Sequence, residues 1–320
     1  MDDLDADTLS QALKQHGLGE LLSFAPILRG NWRQNVAVET TTGRYVFRCQ
    51  PLFEQQFQTE AQAVQFLAAS GVVAVPAPFI VDASRSVFPW EYAVMPLLEG
   101  VPAEIAAVTP RPFAEPHPHM ALVRAAGTLL GHLHALPVQD ADLKRFSLLA
   151  PIGDPVGRQL VRARETVRTC LARQFLTEAE AREVESDLSN WAQAASGQEA
   201  PSFVHGDFQL NNLLVSGTDF ARIVGLLDFS TSHFGHPAED LPRQLCMFLD
   251  LDPTLALSGA FLTGYLDTGP RDLTALAFFL LCERLDLWKF IRDLEVDWVD
   301  QSLSFSEWVT PYLTAGALWR

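Results

Sequence analysis

A chain of 320 residues can bury one large core or two ordinary ones, and with 48% hydrophobic and 19% charged residues this one has the make-up of a globular protein, not a disordered or fibrous one. Its formal net charge of −16 argues against nucleic acid as a partner, since phosphate backbones are gripped by clustered Lys and Arg; attraction of a cationic substrate and plain solubility both stay open. The longest apolar run, around residues 276–282, falls far below the roughly 18 residues that span a bilayer, and Cys49, Cys170, Cys246 and Cys282 lack the Cys-x-x-Cys spacing of a zinc site and any pattern of a disulfide framework.

The acidic start Met1-Asp2-Asp3-Leu4-Asp5 lacks the basic and apolar stretches of a secretory signal, so cytoplasmic residence is expected. A helix-capable segment over residues 5–16 runs into Gly17-Leu18-Gly19-Glu20, which reads as a turn because a dinucleotide fingerprint needs a third glycine and a preceding strand. Residues 35–40 and 44–49 then form a hairpin around Thr41-Thr42-Gly43. Alternation on its second strand puts Tyr45, Phe47 and Cys49 on one face and Arg44, Val46 and Arg48 on the other. Gly71 ends a helix over residues 56–70 whose apolar stripe is Phe57, Ala61, Val64, Leu67 and Ala68, with Glu60 upon it. A carboxylate on an inward face needs a partner, and Arg48 is the obvious one; at the stripe's edge Glu60 would reach water instead.

Val75-Pro76-Ala77-Pro78 and a strand-like stretch from Tyr92 to Met95 follow, and Pro102, Pro110, Pro112, Pro116 and Pro118 mark an irregular segment after Gly100. A domain boundary is placed at residues 97–101. Leu122, Ala126, Leu129, Leu133 and Leu136 recur at helical spacing up to Pro137, and the remainder is mainly helical, broken by short strands at 203–204, 213–215 and 223–227. A β-rich first part and a helical second part make the fold class α+β.

The chemistry sits in Phe203-Val204-His205-Gly206-Asp207-Phe208-Gln209-Leu210-Asn211-Asn212-Leu213-Leu214. Asp207 and Asn212 lie in a loop between apolar runs, and sixteen residues after Asn212 the run 223–227 ends in Asp228. Phosphoryl transfer needs a carboxylate that accepts or orients the substrate hydroxyl, and hard oxygen ligands for a magnesium ion on the β- and γ-phosphates. Asp207 fits the first role; Asn212 and Asp228 fit the second. His205 reads as a core histidine bracing the loop, and His-Gly-Asp alone would also suit a turn with an Asp cap.

This pattern resembles the aminoglycoside phosphotransferase and choline kinase family, relatives of the protein kinases, whose hallmark is His-Gly-Asp-x-x-x-x-Asn followed by a strand ending in Asp-Phe or Asp-Trp. Gly235-His236-Pro237-Ala238-Glu239-Asp240-Leu241 is similar to the family's Gly-Asp-Pro-x-x-Asp-Leu, with His236 in place of the usual Asp and Asp240 in a structural role. Leu130-Gly131-His132-Leu133-His134 resembles its first large-lobe helix, where the two histidines diverge and make no metal site.

The resemblance covers residues of about 25–270. It implies a protein-kinase-like two-lobe fold, with a small β-rich nucleotide-binding lobe (1–97) and a larger, mainly helical catalytic and substrate-binding lobe (98–320), and it implies ATP and Mg2+. Asp207 would be the catalytic carboxylate, Asn212 and Asp228 the metal ligands, and Arg48 the phosphate-holding cation positioned by Glu60. The loop Arg29-Gly30-Asn31-Trp32-Arg33-Gln34-Asn35, with Gly30 its single glycine, would cover the nucleotide, and Met95-Pro96-Leu97-Leu98 would be the hinge whose backbone meets adenine. The expected activity is transfer of the γ-phosphate to a hydroxyl of a small, aminoglycoside-like polar molecule. A metabolic kinase for choline, homoserine or a sugar, and a catalytically silent nucleotide-binding protein, are the alternatives.

No P-loop, Gly-x-Ser-x-Gly elbow or His-Glu-x-x-His helix is present. From Leu280 to Asp300 six acidic residues stand against three basic ones, which suits either a polyamine acceptor or a solvated helix face. Trp288 and Trp298 there suit either stacking on a sugar or core packing.

Overall fold

The computed structural model describes residues 5–27, 34–103, 118–150, 153–195, 201–296 and 298–319. Two compact units make up the chain: residues 1–108, 144–149 and 211–232 form one, and 109–143, 150–210 and 233–320 the other.

The first unit opens with helix α1 (Ala6–His16), which Asp5 caps by accepting the Thr8 N–H at 2.8 Å while the Thr8 hydroxyl reaches back. Gly17, at φ 66°, ends it in the left-handed conformation that glycine adopts without a Cβ clash. Strands β1 (Leu21–Ile27), β2 (Gln34–Thr40), β3 (Arg44–Cys49), β4 (Ile80–Asp82) and β5 (Tyr92–Pro96) build one antiparallel sheet in the order β1-β2-β3-β5-β4. Leu9, Ala12 and Leu13 of α1 pack with Val36, Val38, Phe47, Phe88, Tyr92 and Val94, so one face of β3 is filled by the Phe47 side of its alternation.

Arg48 belongs to the other face, which meets helix α2 (Gln56–Ser70). Gln56, Phe57, Glu60, Ala63, Val64, Phe66 and Leu67 are the buried residues of α2, whereas Ala68 is exposed and Ala61 only half-buried. The buried arc therefore lies to one side of the stripe expected from the sequence, and it places Glu60 well inside that arc. The same unit carries a three-stranded sheet of β6 (Val101–Pro102), β8 (Leu213–Val215) and β9 (Ile223–Leu226), in the order β6-β8-β9.

Among its described residues the second unit has helices and one short strand pair, β7 (Ser202–Val204) and β10 (His233–Gly235). Its helices are α3 (Pro118–His134), which short α4 (Asp140–Arg145) follows in the chain, then α5 (Pro155–Ala172), α6 (Glu178–Ala195), α7 (Leu241–Leu251), α8 (Ala256–Leu266), α9 (Leu276–Leu294) and α10 (Phe305–Leu318). Helix α9 is core along most of its first half, from Leu276 to Leu285; Trp288 is fully buried and its indole N–H donates to the Phe175 carbonyl at 2.8 Å, so it packs inside, while Trp298 is 61% exposed. Among the described residues no helix is long and apolar enough to cross a membrane.

Helices α3 and α8 touch through their backbones. A Cβ on Gly127 would stand 1.9 Å from the Phe261 carbonyl oxygen, and one on Gly264 2.0 Å from that of Arg124. Gly264→Ala should therefore destabilise the protein by about 1–3 kcal/mol or more. Gly259→Ala, on the same helix with open space around its Cβ, should instead stabilise by about 0.5–1 kcal/mol. Urea unfolding reads both, and equal effects would rule out the close approach.

Candidate active site

In the first unit the side chain of Arg48 donates from Nη1 to Glu60 Oε2, and both residues are removed from water, Arg48 at 7% and Glu60 at 0% exposure. Glu60 thus pairs with Arg48 and does not reach solvent. Its other oxygen accepts from Gln56 Nε2 at 2.8 Å, one helical turn earlier, while Gln56 Oε1 takes the Leu52 N–H at 2.7 Å. Arg48 Nε and Nη2 are buried with no hydrogen-bond partner among the described residues. Asn35, opposite Arg48 in the β2–β3 register, likewise has a buried and unpartnered Oδ1. Unmet polar atoms of a buried guanidinium are costly unless a ligand takes them up. Gly30 and the rest of the expected nucleotide-covering loop before Gln34 lie outside the described residues.

Met95 is buried near the end of β5, and the Leu97 N–H just beyond donates to the Arg44 carbonyl at 2.9 Å. Asn212 and Asp228 occupy adjoining ends of the β8–β9 hairpin. Leu213 pairs with Leu226, and the Leu227 N–H donates to the Asn212 carbonyl at 2.9 Å. Asp228 has φ 60°, a left-handed conformation that Asp tolerates better than most residues, and its Oδ1 accepts the Ser230 hydroxyl at 2.9 Å.

The second unit holds Asp207, in a loop fastened at several points. Asp240 is buried, and its two carboxylate oxygens accept the N–H groups of His205 and Gly206, each at 2.7 Å. Its Oδ2 also meets His134 Nε2 at 3.1 Å, and His134 Nδ1 meets the Tyr265 hydroxyl at 2.9 Å. A neutral His134 with its proton on Nε2 donates to Asp240 and accepts from Tyr265, which satisfies all three groups. His205 is fully buried and its Nδ1 accepts the Asp207 N–H at 3.3 Å, the bracing role read from the sequence. Gly206, at φ 79°, allows the sharp turn that presents Asp207. His236 does an Asp's work where it replaces the family's Asp: its Nδ1 accepts the Ala238 N–H at 3.1 Å and caps the short helix Pro237–Asp240.

Three residues of this region went unread in the sequence. Leu210 donates its N–H to Gln244 Oε1 at 2.9 Å, while Gln209 and Arg243 both donate to Asp207 Oδ1. Asp240, Arg243 and Gln244 stand at i, i+3 and i+4 around the start of α7, so one helix face supports the loop 205–210. That spacing was the available signal for Arg243 and Gln244; Gln209 had none.

Burial works against ionisation of Asp240, yet the hydrogen bonds it accepts from His134 and from the His205 N–H hold its carboxyl below the ordinary 3.8. A lowered folded value means that Asp240 stabilises the fold above the unfolded carboxylate range and that this contribution disappears as pH falls through the folded value. Asp240→Asn should cost about 3–5 kcal/mol at neutral pH. Its deficit against the unaltered protein should shrink between about pH 5 and pH 2. A deficit constant across that range, read by urea unfolding, would show that the Asp240 charge is not what matters.

The sequence profile of the Phosphotransferase enzyme family matches residues 23–279. Homoserine kinase of Afipia carboxidovorans is 27% identical over 306 residues, spanning 93% of this chain and 86% of that one. Human acyl-CoA dehydrogenase family member 11 is 25% identical over 249 residues, and the chain spans only 30% of that relative's length. Among solved structures, a candidate aminoglycoside phosphotransferase of Ralstonia eutropha JMP134 superposes with TM-score 0.71 at 21% identity over 98% of both chains. A thermostable mutant of aminoglycoside phosphotransferase APH(4)-Ia, in ternary complex with ADP and hygromycin B, superposes with TM-score 0.65 at 15% identity, again over 98% of both. The fold is protein-kinase-like, and the chain belongs to the phosphotransferase enzyme family.

Proposed function

We propose that this protein is a small-molecule kinase that moves the γ-phosphoryl group of ATP to a hydroxyl, with a nucleotide-binding lobe over residues 1–97 and a catalytic and acceptor-binding lobe over 98–320. The observation that carries this reading is the buried Arg48–Glu60 pair, whose guanidinium keeps two nitrogens without a partner among the described residues. Phosphate oxygens are the acceptors that suit a forked, permanently charged donor. Glu60, held by Gln56, aims Arg48 at the α- and β-phosphates, and Gly30 with its loop covers them. The strand exit at Met95 and Leu97 meets the adenine. This assignment would put the protein in the cytoplasm, where ATP is supplied.

Asn212 and Asp228 offer hard oxygen donors at neighbouring strand ends, a set that fits Mg2+ completed by phosphate oxygens. The ion would neutralise charge gathering on the β- and γ-phosphates. Asp207 accepts the hydroxyl proton and orients the nucleophilic oxygen. The presence of Asp207, Asn212 and Asp228 together counts against a silent member. For the acceptor, the hygromycin B complex of a fold relative supports an aminoglycoside-like molecule. The homoserine kinase likeness supports a metabolic one.

Asp207→Asn should cut turnover by about 10²-fold or more while leaving nucleotide affinity nearly intact. Asp228→Ala should abolish Mg2+-dependent ATP binding by calorimetry, with Asn212→Ala weaker in effect because an amide carries no charge. Unchanged Mg-ATP affinity in Asp228→Ala refutes the ligand assignment. Glu60→Gln should both raise the KM for ATP and lower stability by about 3–5 kcal/mol, since it leaves a buried guanidinium without its counter-charge. A variant that melts normally and keeps its KM shows that the pair has no phosphate-aiming role.

A further inference from the structure

We propose that Arg243 reads a carboxylate on the acceptor, so that the molecule phosphorylated is a small hydroxy-carboxylate; this rests on the phosphotransferase reading above. Arg243 projects from α7 and donates from Nη1 to Asp207 Oδ1, and its Nε lies 3.6 Å from Glu283 Oε1 on α9. Glu283 Oε2 accepts from Arg284 Nε at 2.6 Å, and Arg284 is buried with its guanidinium 4.6 Å from the centre of the Tyr312 ring. Asp207, Arg243, Glu283 and Arg284 thus form a row of alternating charge with no net sign. Arg243 is its most accessible member, 47% exposed against 25% for Asp207 and 17% for Glu283.

The remaining carboxylates of α9 are committed as well. Asp286 accepts the Thr166 hydroxyl at 2.9 Å and lies 2.9 Å from Arg162, while Asp293 pairs with Lys289 at 2.6 Å and with Arg173. The three carboxylates of α9 are therefore each paired within the fold, and a polycation approaching Asp207 meets a guanidinium where it needs an acidic well. Like charges so placed are strongly unfavourable. A carboxylate does the reverse. It supplies the planar partner that a guanidinium fork grips with two hydrogen bonds, and it draws Arg243 off Asp207 Oδ1.

With Arg243 drawn away, Asp207, whose Oδ1 still accepts from Gln209, takes the proton of a hydroxyl a few bonds from that carboxylate. The hydroxyl oxygen bonds to the γ-phosphorus, the bond from that phosphorus to the β,γ-bridging oxygen breaks, and ADP leaves with the electron pair. The products are a phosphate monoester and ADP. Arg243 so acts as a specificity residue, and in the free protein it occupies the base that the acceptor must claim.

The test follows ADP release by the full chain with Mg-ATP, using matched pairs of acceptors: L-homoserine and its amide, 4-hydroxybutyrate and its amide, glycerate and its amide, with choline and kanamycin alongside. The best acceptor should be a carboxylate, with kcat/KM roughly tenfold or more above that of its amide. Arg243→Gln should erase that ratio mainly through the KM of the carboxylate, and Arg243→Lys should restore part of it. The inference is overturned if kanamycin or choline is the best acceptor, if carboxylates match their amides, or if no carboxylate is phosphorylated while Mg-ATP binds. It is overturned equally if Arg243→Gln lowers both members of a pair alike through kcat, the mark of a residue that only positions Asp207. The comparison within the unaltered protein does not depend on any variant folding. Absence of Mg-ATP binding by calorimetry defeats the kinase reading itself, a result distinct from these.

Discussion

A buried carboxylate that binds backbone holds the loop 205–210 in place. Asp240 accepts the N–H groups of His205 and Gly206 with both oxygens and is itself met by His134. Such a charge is stable away from water only when its acceptor sites are filled, and here main chain and imidazole fill them. Much of the second unit serves that arrangement: bare glycine contacts bring α8 against α3, and Tyr265 of α8 holds the far nitrogen of His134. The face of α7 that begins at Asp240 then adds Gln244 at Leu210 and Arg243 at Asp207.

The buried charge of the first unit is built on the opposite principle. Glu60 is fastened by Gln56 and by Arg48, yet Arg48 itself keeps two nitrogens unmet among the described residues. Asp240 has its hydrogen bonds within the fold, as a structural group must. Among the described residues Arg48 is left short of them, as the phosphate-binding role proposed for it requires if a ligand is to gain by meeting it. The degree to which a buried charge is satisfied separates the two roles more sharply than burial does.

Net charge by itself does not set the charge beside Asp207. The carboxylates of α9 face arginines, a lysine and a threonine hydroxyl, so the strong overall acidity does not become a local acidic well beside Asp207. Fields of exposed charge are screened over about 8–10 Å, whereas an ion in contact dominates its immediate surroundings. The single guanidinium of Arg243 therefore outweighs the total of −16 where chemistry is proposed to occur.

Much of the fold was legible from the chain alone, because it rests on local rules. Period-two alternation around Arg48, the αL glycines 17 and 71, the helical spacing of residues 122–133 and the short apolar strands around His205-Gly206-Asp207 each reflect neighbours along the backbone. The candidate carboxylates and Asn212 were legible for the same reason, since they lie within one segment and one following strand. What tertiary structure alone decided are the partners far apart in sequence: His134 with Asp240, separated by 106 positions, Asp207 with Arg243, and Arg243 with Glu283. Sequence patterns report which face a residue occupies but not what that face meets. Glu60 shows the limit from both sides: its place on an inward stripe was readable, while its full burial beside a guanidinium with nitrogens to spare was settled only by packing α2 against β3.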